Sequence, residues 1–588
     1  TAWPMIDPNC AAAGGLARPA SAATPTFGSC AIDLTKYFEL ISPQWRVSTY
    51  VTANYDLGDA DLYFEAGYSH SKVNQGSSPG SAVLTFPLVP ANNPGNLVEN
   101  GGFGVPVNFV GRPFGSRFPG TTNVHTLNAY RAVAGIRGGL GGSWKYDASY
   151  VYGHQDSEQS MANIDVDVGR FQAALNCQGG PNNDLCFNPF GSALLDPALA
   201  NSQAVIDDFV RSTFRRGSGD IHVVEGAVTG QLAALPGGPL SVAFGAQFRR
   251  ELLAYRSDPL SQTRQLGFYF TGPDFNTSRN TYAGFIEFDA PLSHNFDAQL
   301  AGRYEHTQGT SGTFTPKLGL RYEPTPGLIL RGSVGTSFRA PSLSQLTSVS
   351  TINTALIDPR NPSTIPFFVA VVTVPAANLK PEKSTNFNLG VWIEPVRGLS
   401  FSADYYYYDY KDVIAKQDAQ SIINADPGDP RIKRANGDPN GLISSVDVSF
   451  VNQNSVKAQG FDFTASYRVD TGSDGNFNLT ARGTYLLNYD TDLGFGRKNF
   501  AGFRNYQNFV DPLPRFKGNI SATWQSGPHA LSATLYYISS YKENLANPAS
   551  PINGFKIDSY KTVDVQYSLE IPSINSTLAI GATNLFLS

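Results

Sequence analysis

The chain has 588 residues, a mass of 63.3 kDa and a net charge of −5, with 41% hydrophobic, 15% charged and 12% aromatic residues. Its 57 Gly, 38 Phe and 28 Tyr against 2 Met are a turn-and-strand composition, too poor in helix formers for a bundle, and the mild acidity argues against a general nucleic-acid binder. A mean hydropathy of −0.20 excludes a helical membrane protein but not a barrel, whose strands turn only every second residue toward lipid.

In chain order, residues 1–44 come first, an Ala/Pro/Gly-rich segment with no charged and apolar leader pattern after Thr1. A leader removed, or a chain that is a fragment, is the expectation. Cys10 and Cys30 lie in this segment, and Cys177 and Cys186 in a later one. Two close pairs in loops, without CxxC or matching His, predict local disulfides and an oxidising compartment rather than a metal site.

From Trp45 onward, period-2 alternation recurs. Phe296, Ala298, Leu300, Gly302 and Tyr304 alternate with Asp297, Gln299, Ala301, Arg303 and Glu305. Leu318, Leu320 and Tyr322 alternate with Lys317, Gly319 and Arg321; Phe516, Gly518, Ile520 and Trp524 with Lys517, Asn519 and Gln525. These strands run about 10 to 14 residues, whereas soluble strands centre near 5 or 6 and a tilted spanning strand takes about 9 to 11. Short turns (Leu57-Gly58-Asp59, Pro236-Gly237-Gly238, Thr325-Pro326, Val396-Arg397, Ser526 to Pro528) alternate with long segments at 74–122, 157–219, 255–277, 339–383, 412–442, 490–514 and 542–559. That asymmetry predicts an all-β transmembrane antiparallel β-barrel with short periplasmic turns and long extracellular loops. The apolar run Ile365 to Ala377 is too short for a spanning helix.

The tally is about 18 strands, the first over 45–56 and the last over 575–586. Parity makes Ser445 to Val469 one long strand projecting above the membrane. The end strands then start and finish on the long-loop side, so the chain is expected to be incomplete at both ends. Unpaired edges in lipid cost several kcal/mol per polar group, so it is not expected to close and transport by itself.

Phe338-Arg339-Ala340-Pro341-Ser342, Leu379-Lys380-Pro381-Glu382-Lys383-Ser384, Ala458-Gln459-Gly460-Phe461-Asp462 and Asn584-Leu585-Phe586 occur in that order. So do Leu235-Pro236-Gly237-Gly238-Pro239 and Gly245-Ala246-Gln247-Phe248-Arg249 before them. Together they resemble the barrel of TonB-dependent outer-membrane receptors. The resemblance implies about 18 strands present of an expected 22, with the plug, the TonB box and the last strand lacking from this chain. It divides the chain into an extracellular loop segment, 1–44, and one partial barrel, 45–588. Expected partners are outer-membrane lipid, the TonB complex through a plug, and a small-molecule nutrient. A monomer without cofactor, metal or nucleic acid is expected.

Candidate ligand residues lie in three long loops where rings and guanidinium groups cluster: Phe103, Phe109, Arg112, Phe114 and Arg117; Phe268 and Tyr269; Arg497, Phe503, Arg504 and Tyr506. Rings stack on sugars or catecholates and guanidinium groups fork onto carboxylates; loops packing on one another would use the same residues. Arg303, Glu305, Lys317, Arg321, Arg331, Asp404, Arg482 and Lys517 are expected to face the lumen, guiding substrate or pairing across strands. Tyr405, Tyr406, Tyr407, Tyr408 and Tyr410 read as an interfacial aromatic girdle. Asp426, Asp429, Asp438 and Asn440 lack EF-hand spacing and read as a solvated turn more readily than a Ca²⁺ loop. Gly76-Ser77-Ser78-Pro79-Gly80 matches GxSxG without the strand–turn–helix context a nucleophile needs. No enzyme is expected. The functional expectation is an outer-membrane receptor that captures a scarce nutrient, of siderophore or saccharide class, for TonB-driven import; the alternative is a passive porin-like channel.

Overall fold

The computed structural model of the protein describes residues 11, 15–18, 29–31, 33–78, 80, 87–100, 102–109, 111–113, 121–189, 200–268, 270–360, 367–376, 378–434, 437–492, 497–505, 512–544 and 554–586. Eighteen strands carry the architecture. They are β1 (Gln44–Asp56), β2 (Ala60–Ser77), β3 (Thr121–Gly141), β4 (Trp144–Val166), β5 (Val210–Leu235) and β6 (Gly238–Ser257). Next come β7 (Phe275–Ser293), β8 (Phe296–Thr307), β9 (Thr313–Thr325), β10 (Leu328–Arg339), β11 (Glu382–Val396) and β12 (Leu399–Lys416). The set ends with β13 (Ile443–Asp470), β14 (Asn476–Asp492), β15 (Phe516–Ser526), β16 (His529–Ile538), β17 (Tyr560–Ile571) and β18 (Ser576–Ala582). Each pairs antiparallel with the next.

The strands follow one another around a barrel. Among the described residues, however, no backbone register joins β18 to β1, and both strands are exposed along their whole length. Turns on one rim are tight. Gly327 and Gly398 close two of them at φ +83° and +86°, where a Cβ would be strained.

Registry puts every apolar set on one face. Leu300 faces Leu318, Leu318 faces Val334, Val334 faces Phe387, and Phe387 faces Tyr407. Leu300, Leu318, Val334 and Phe387 stand outward and exposed, with Tyr407 half-buried beside them. A contiguous apolar band of this extent is stable only against lipid.

Among the described residues, buried apolar side chains gather instead in clusters built by the long loops, the two largest of which form lobes. The first packs α1 (Val168–Leu175), capped by the Asp167 carboxylate, against α2 (Gln203–Phe209), capped by Ser202. Its core joins Phe171, Leu175, Phe187 and Phe209, with Phe171 and Phe209 at 4.9 Å. Cys177 and Cys186 are disulfide-bonded within it. Cys10 lies outside the described residues, and its expected bond to Cys30 does too. In the second lobe the hairpin Ser350–Leu356/Phe367–Val374 adds its second strand parallel to the top of β13, and α3 (Ala419–Ala425) packs there through Ile422 and Ile423.

The run Ile365 to Ala377, expected to be too short for a spanning helix, contributes the strand Phe367–Val374 to this lobe, where Val369 to Val372 are buried. Other expectations need correction. β4 and β5 reach Val166 and Val210, well into the stretch expected to be loop, because above the membrane both faces of a strand are polar and the alternation vanishes. The last strand stops at Ala582, so Asn584-Leu585-Phe586 lies beyond it, tied back by Leu585 N–H to the Val563 carbonyl at 2.8 Å. β13 is one continuous strand, in keeping with the parity argument.

Candidate functional site

The polar face of the sheet lines the lumen, and alternation places Arg303, Glu305, Lys317, Arg321, Arg331, Asp404, Arg482 and Lys517 all on it. Five of them pair. Arg303 binds Glu305 at 2.9 Å, Arg321 bridges Asp297 (3.1 Å) and Glu323 (2.6 Å), and Arg331 forks onto Asp404. Lys317, Arg482 and Lys517 make no ion pair among the described residues.

At the long-loop end of β6–β10 the lumen wall hollows into a recess of about 410 Å³ lined by Arg249, Arg279, Arg303 and Arg339 with Glu305. Glu251 sits between Arg249 (3.6 Å) and Arg279 (2.7 Å); Glu305 sits between Arg249 (3.4 Å) and Arg303 (2.9 Å). Glu382 takes Arg339 in a fork of 2.6 and 2.7 Å. Four guanidinium groups thus meet three carboxylates. The buried Nε of Arg249 finds no hydrogen-bond acceptor among the described residues. Such a wall attracts an anion with several oxygen atoms, because each free N–H has a fixed direction that a carboxylate or catecholate can meet.

Two strands further on, the tyrosine run divides. Tyr405 and Tyr407 face outward beside Leu389 and Phe387. Tyr406, Tyr408 and Tyr410 face the lumen, 6.0 Å apart ring to ring, with the last pair stacked at 18°. The girdle expectation holds for the first two only; period 2 forces the other three inward. Gly460 leaves room for this, since a Cβ there would collide with the Tyr406 ring. Tyr410 stands across the ladder from Ser384, two residues from Glu382, so the ring ladder adjoins the arginine recess.

The loop candidates are held separately. Phe103 is exposed. Phe109 packs edge-on to Phe171 at 5.2 Å, inside the first lobe, so packing accounts for it. Arg112 donates to Ser78 Oγ at 3.3 Å and Arg497 to Ser455 Oγ at 2.9 Å. The Phe268 backbone is clamped between Asp165 and Asn353. Phe503 and Arg504 lie on a short strand parallel to Tyr541–Asn544, where Arg504 pairs with Glu543 at 3.1 Å. Phe114, Arg117, Tyr269 and Tyr506 lie outside the described residues. Asp426, Asp438 and Asp429 cap turns, Asp429 also forking onto Arg431; that guanidinium holds its carboxyl down to about 2.

Sequence reasoning missed Arg249, Arg279, Glu251 and Glu382 as site residues. The alternation Gln247, Arg249, Glu251 on β6 was the signal available.

A family model described as TonB dependent receptor-like, beta-barrel matches residues 67–585. The chain belongs to this family. Its place is therefore the bacterial outer membrane, and the family is one of receptors and transporters. A curated relative, the iron-regulated outer membrane virulence protein of Vibrio cholerae serotype O1, is 25% identical over 185 residues, 31% of this chain and 24% of the relative. The matched stretch thus spans about a quarter of that relative. Among solved structures, the ferripyoverdine receptor of Pseudomonas aeruginosa aligns over 92% of this chain and 61% of its own, with a TM-score of 0.55 and 12% identity. A ferric enterobactin receptor of the same organism aligns over 97% and 79%, with a TM-score of 0.50 and 13% identity. At such identities the likeness is one of fold.

Proposed function

We propose that this receptor captures an anionic, oxygen-rich metal chelate of the siderophore class and passes it inward with TonB-supplied energy. The observation that carries the reading is the lumenal recess of four arginines, with its surplus positive charge and the unsatisfied Arg249 Nε. The ring ladder Tyr406, Tyr408 and Tyr410 beside it suits planar aryl groups. The named relatives, an iron-regulated protein and receptors for ferric siderophores, support the same class. They lend no support to a saccharide ligand or to a passive channel.

On this reading the tight turns face the periplasm and the lobes face outward, residues 1–44 belong to the outer surface, and 45–588 contribute about 18 of 22 strands. The loop candidates Phe103, Arg112, Arg497 and Arg504 would make the first contacts. The test is binding of a panel of ferric catecholate, hydroxamate and carboxylate siderophores to the full-length protein, followed by intrinsic fluorescence. Arg249→Gln together with Arg303→Gln should weaken the preferred chelate at least tenfold. Micromolar binding of none of them, or binding indifferent to both substitutions, refutes the proposal.

A further inference from the structure

The two lobes stand on different parts of the rim. The first grows from the connections β2–β3 and β4–β5, the second from β10–β11 and β12–β13. Among the described residues no backbone ladder joins a strand of one lobe to a strand of the other. Bodies carried by separate loops would each swing on their own hinges.

The connection β6–β7 lies between them and is bonded to both. Toward the first lobe, Val168 N–H donates to the Gln265 carbonyl at 2.8 Å and Gly267 N–H to the Val166 carbonyl at 2.9 Å, so that Leu266 makes an antiparallel bridge with Asp167. Phe268 N–H donates to Asp165 Oδ2 at 3.1 Å, and Asp165 and Leu266 are fully buried. Toward the second lobe, Asn353 Nδ2 donates to the Phe268 carbonyl at 2.8 Å, and Thr271 bridges Ser350. Gly272 passes so close to Val349 that a Cβ would stand 2.3 Å from the valine Cβ. Phe268 is thus held by its N–H on one lobe and by its carbonyl on the other.

The connection is also tied down where it leaves the barrel. One helical turn, Pro259–Gln262, is capped by the Asp258 carboxylate, which accepts from Leu260 N–H at 2.9 Å. Thr271 Oγ1 lies 2.8 Å from Ser257 Oγ and 2.8 Å from Ser261 Oγ, and all three residues are buried. The Asp274 carboxylate takes Ser257 N–H at 3.0 Å and Gln262 Nε2 at 2.8 Å. Hydroxyls that satisfy one another in a buried place fix a single backbone path. This knot closes the tops of β6 and β7, the rim above Arg249 and Arg279.

We propose that the β6–β7 connection is a tie that makes the two lobes move as one body at the long-loop mouth of the lumen, so that a displacement of either lobe repositions the other. The proposal rests on the lobes and their connection, not on the identity of the ligand. The test uses the full-length protein in detergent, with Cys10 and Cys30 replaced by serine. Spin labels are placed at Ala204→Cys on α2 and Ala425→Cys on α3, both exposed positions. Pulsed dipolar spectroscopy then reads the lobe-to-lobe distance distribution, and one narrow distance is expected. Asn353→Ala with Gly272→Val cuts the tie on the side of the second lobe and should widen the distribution at least twofold. A label pair within the first lobe, at Ala204→Cys and Asn92→Cys, should be unchanged. Should the double variant lose its folded electrophoretic band, Asn353→Ala alone should still widen the lobe-to-lobe distribution. A broad distribution in the uncut protein, or one as narrow after the tie is cut, overturns the proposal.

Discussion

The second loop lobe hangs on one buried ion pair, and breaking it should loosen the lobe without touching the barrel. Arg434 and Asp358 side chains are 6% and 3% exposed and meet at 2.6 and 3.2 Å; Arg434 also donates to the Gly441 and Pro427 carbonyls. Arg434→Met removes the cation and leaves the carboxylate buried, a change that costs about 3–5 kcal/mol. At one decade per 1.4 kcal/mol, opening of the lobe rises roughly 150- to 4,000-fold. The readout is hydrogen exchange of the Asp447 amide, bound to the Arg431 carbonyl at 2.9 Å between the fully buried Val446 and Val448. Asp358→Leu with Arg434→Met removes both charges and should recover most of the protection. The pH dependence has a definite sign. Burial alone would raise the Asp358 carboxyl, but hydrogen bonds from Arg434 and the Arg360 amide outweigh it and hold the carboxyl below its ordinary 3.8. Its stabilisation is therefore present above the unfolded value and lost as the pH falls through the lower folded one. Extra opening should appear only below about pH 4, and Asp358→Asn should remove that acid step. Exchange at Asp447 unchanged in Arg434→Met, or a double variant as damaged as the single one, refutes the reasoning.

Gly390 lies where a Cβ would strike the Asp404 carboxylate and come within 2.9 Å of Arg331 Nε, so Gly390→Val should break their fork. A loss of about 1–3 kcal/mol is expected, seen as a lower temperature for loss of the folded electrophoretic band; an unshifted band would mean the wall accommodates the methyl groups. Cys177→Ser with Cys186→Ser opens a loop of sequence separation 9 and should cost the first lobe about 2.5 kcal/mol, read as faster exchange of the Phe171–Leu175 amides but not of β13. Tyr408→Ala removes the middle ring of the ladder; it should weaken an aryl-bearing chelate about tenfold and leave thermal stability unchanged, whereas equal binding by both proteins argues against ring contact.

Strands such as β8 and β9 were legible to within about two residues at their ends, because lipid on one side and water on the other impose the period-2 pattern. The lobes were not. Their cores assemble Val89, Phe171 and Phe209, or Leu356, Ile423 and Val446, from distant loops with no shared period. Tyr410 shows a different limit: a place at the top of a strand suggested a girdle, while alternation, applied residue by residue, sends it into the lumen. Alternation sets the charged residues on one face of the sheet, and pairing across neighbouring strands decides which remain available. Arg331 is taken by Asp404, whereas Lys317, Arg482 and Lys517 are unpaired among the described residues.

The same physics connects the hidden strand lengths to the lumenal recess. β2–β7 run 18 to 26 residues, about twice what a tilted strand needs to cross the hydrocarbon. Their upper halves carry polar residues on both sides, so no apolar alternation survives to announce them as strand. That is also why charge can be concentrated there on both faces of one sheet. On β6, Arg249 and Arg250 are adjacent in sequence yet point to opposite faces, one toward the lumenal recess and the other toward the membrane surface. A rigid ladder that holds both faces fixes the distance between these two charges, which a flexible loop would not.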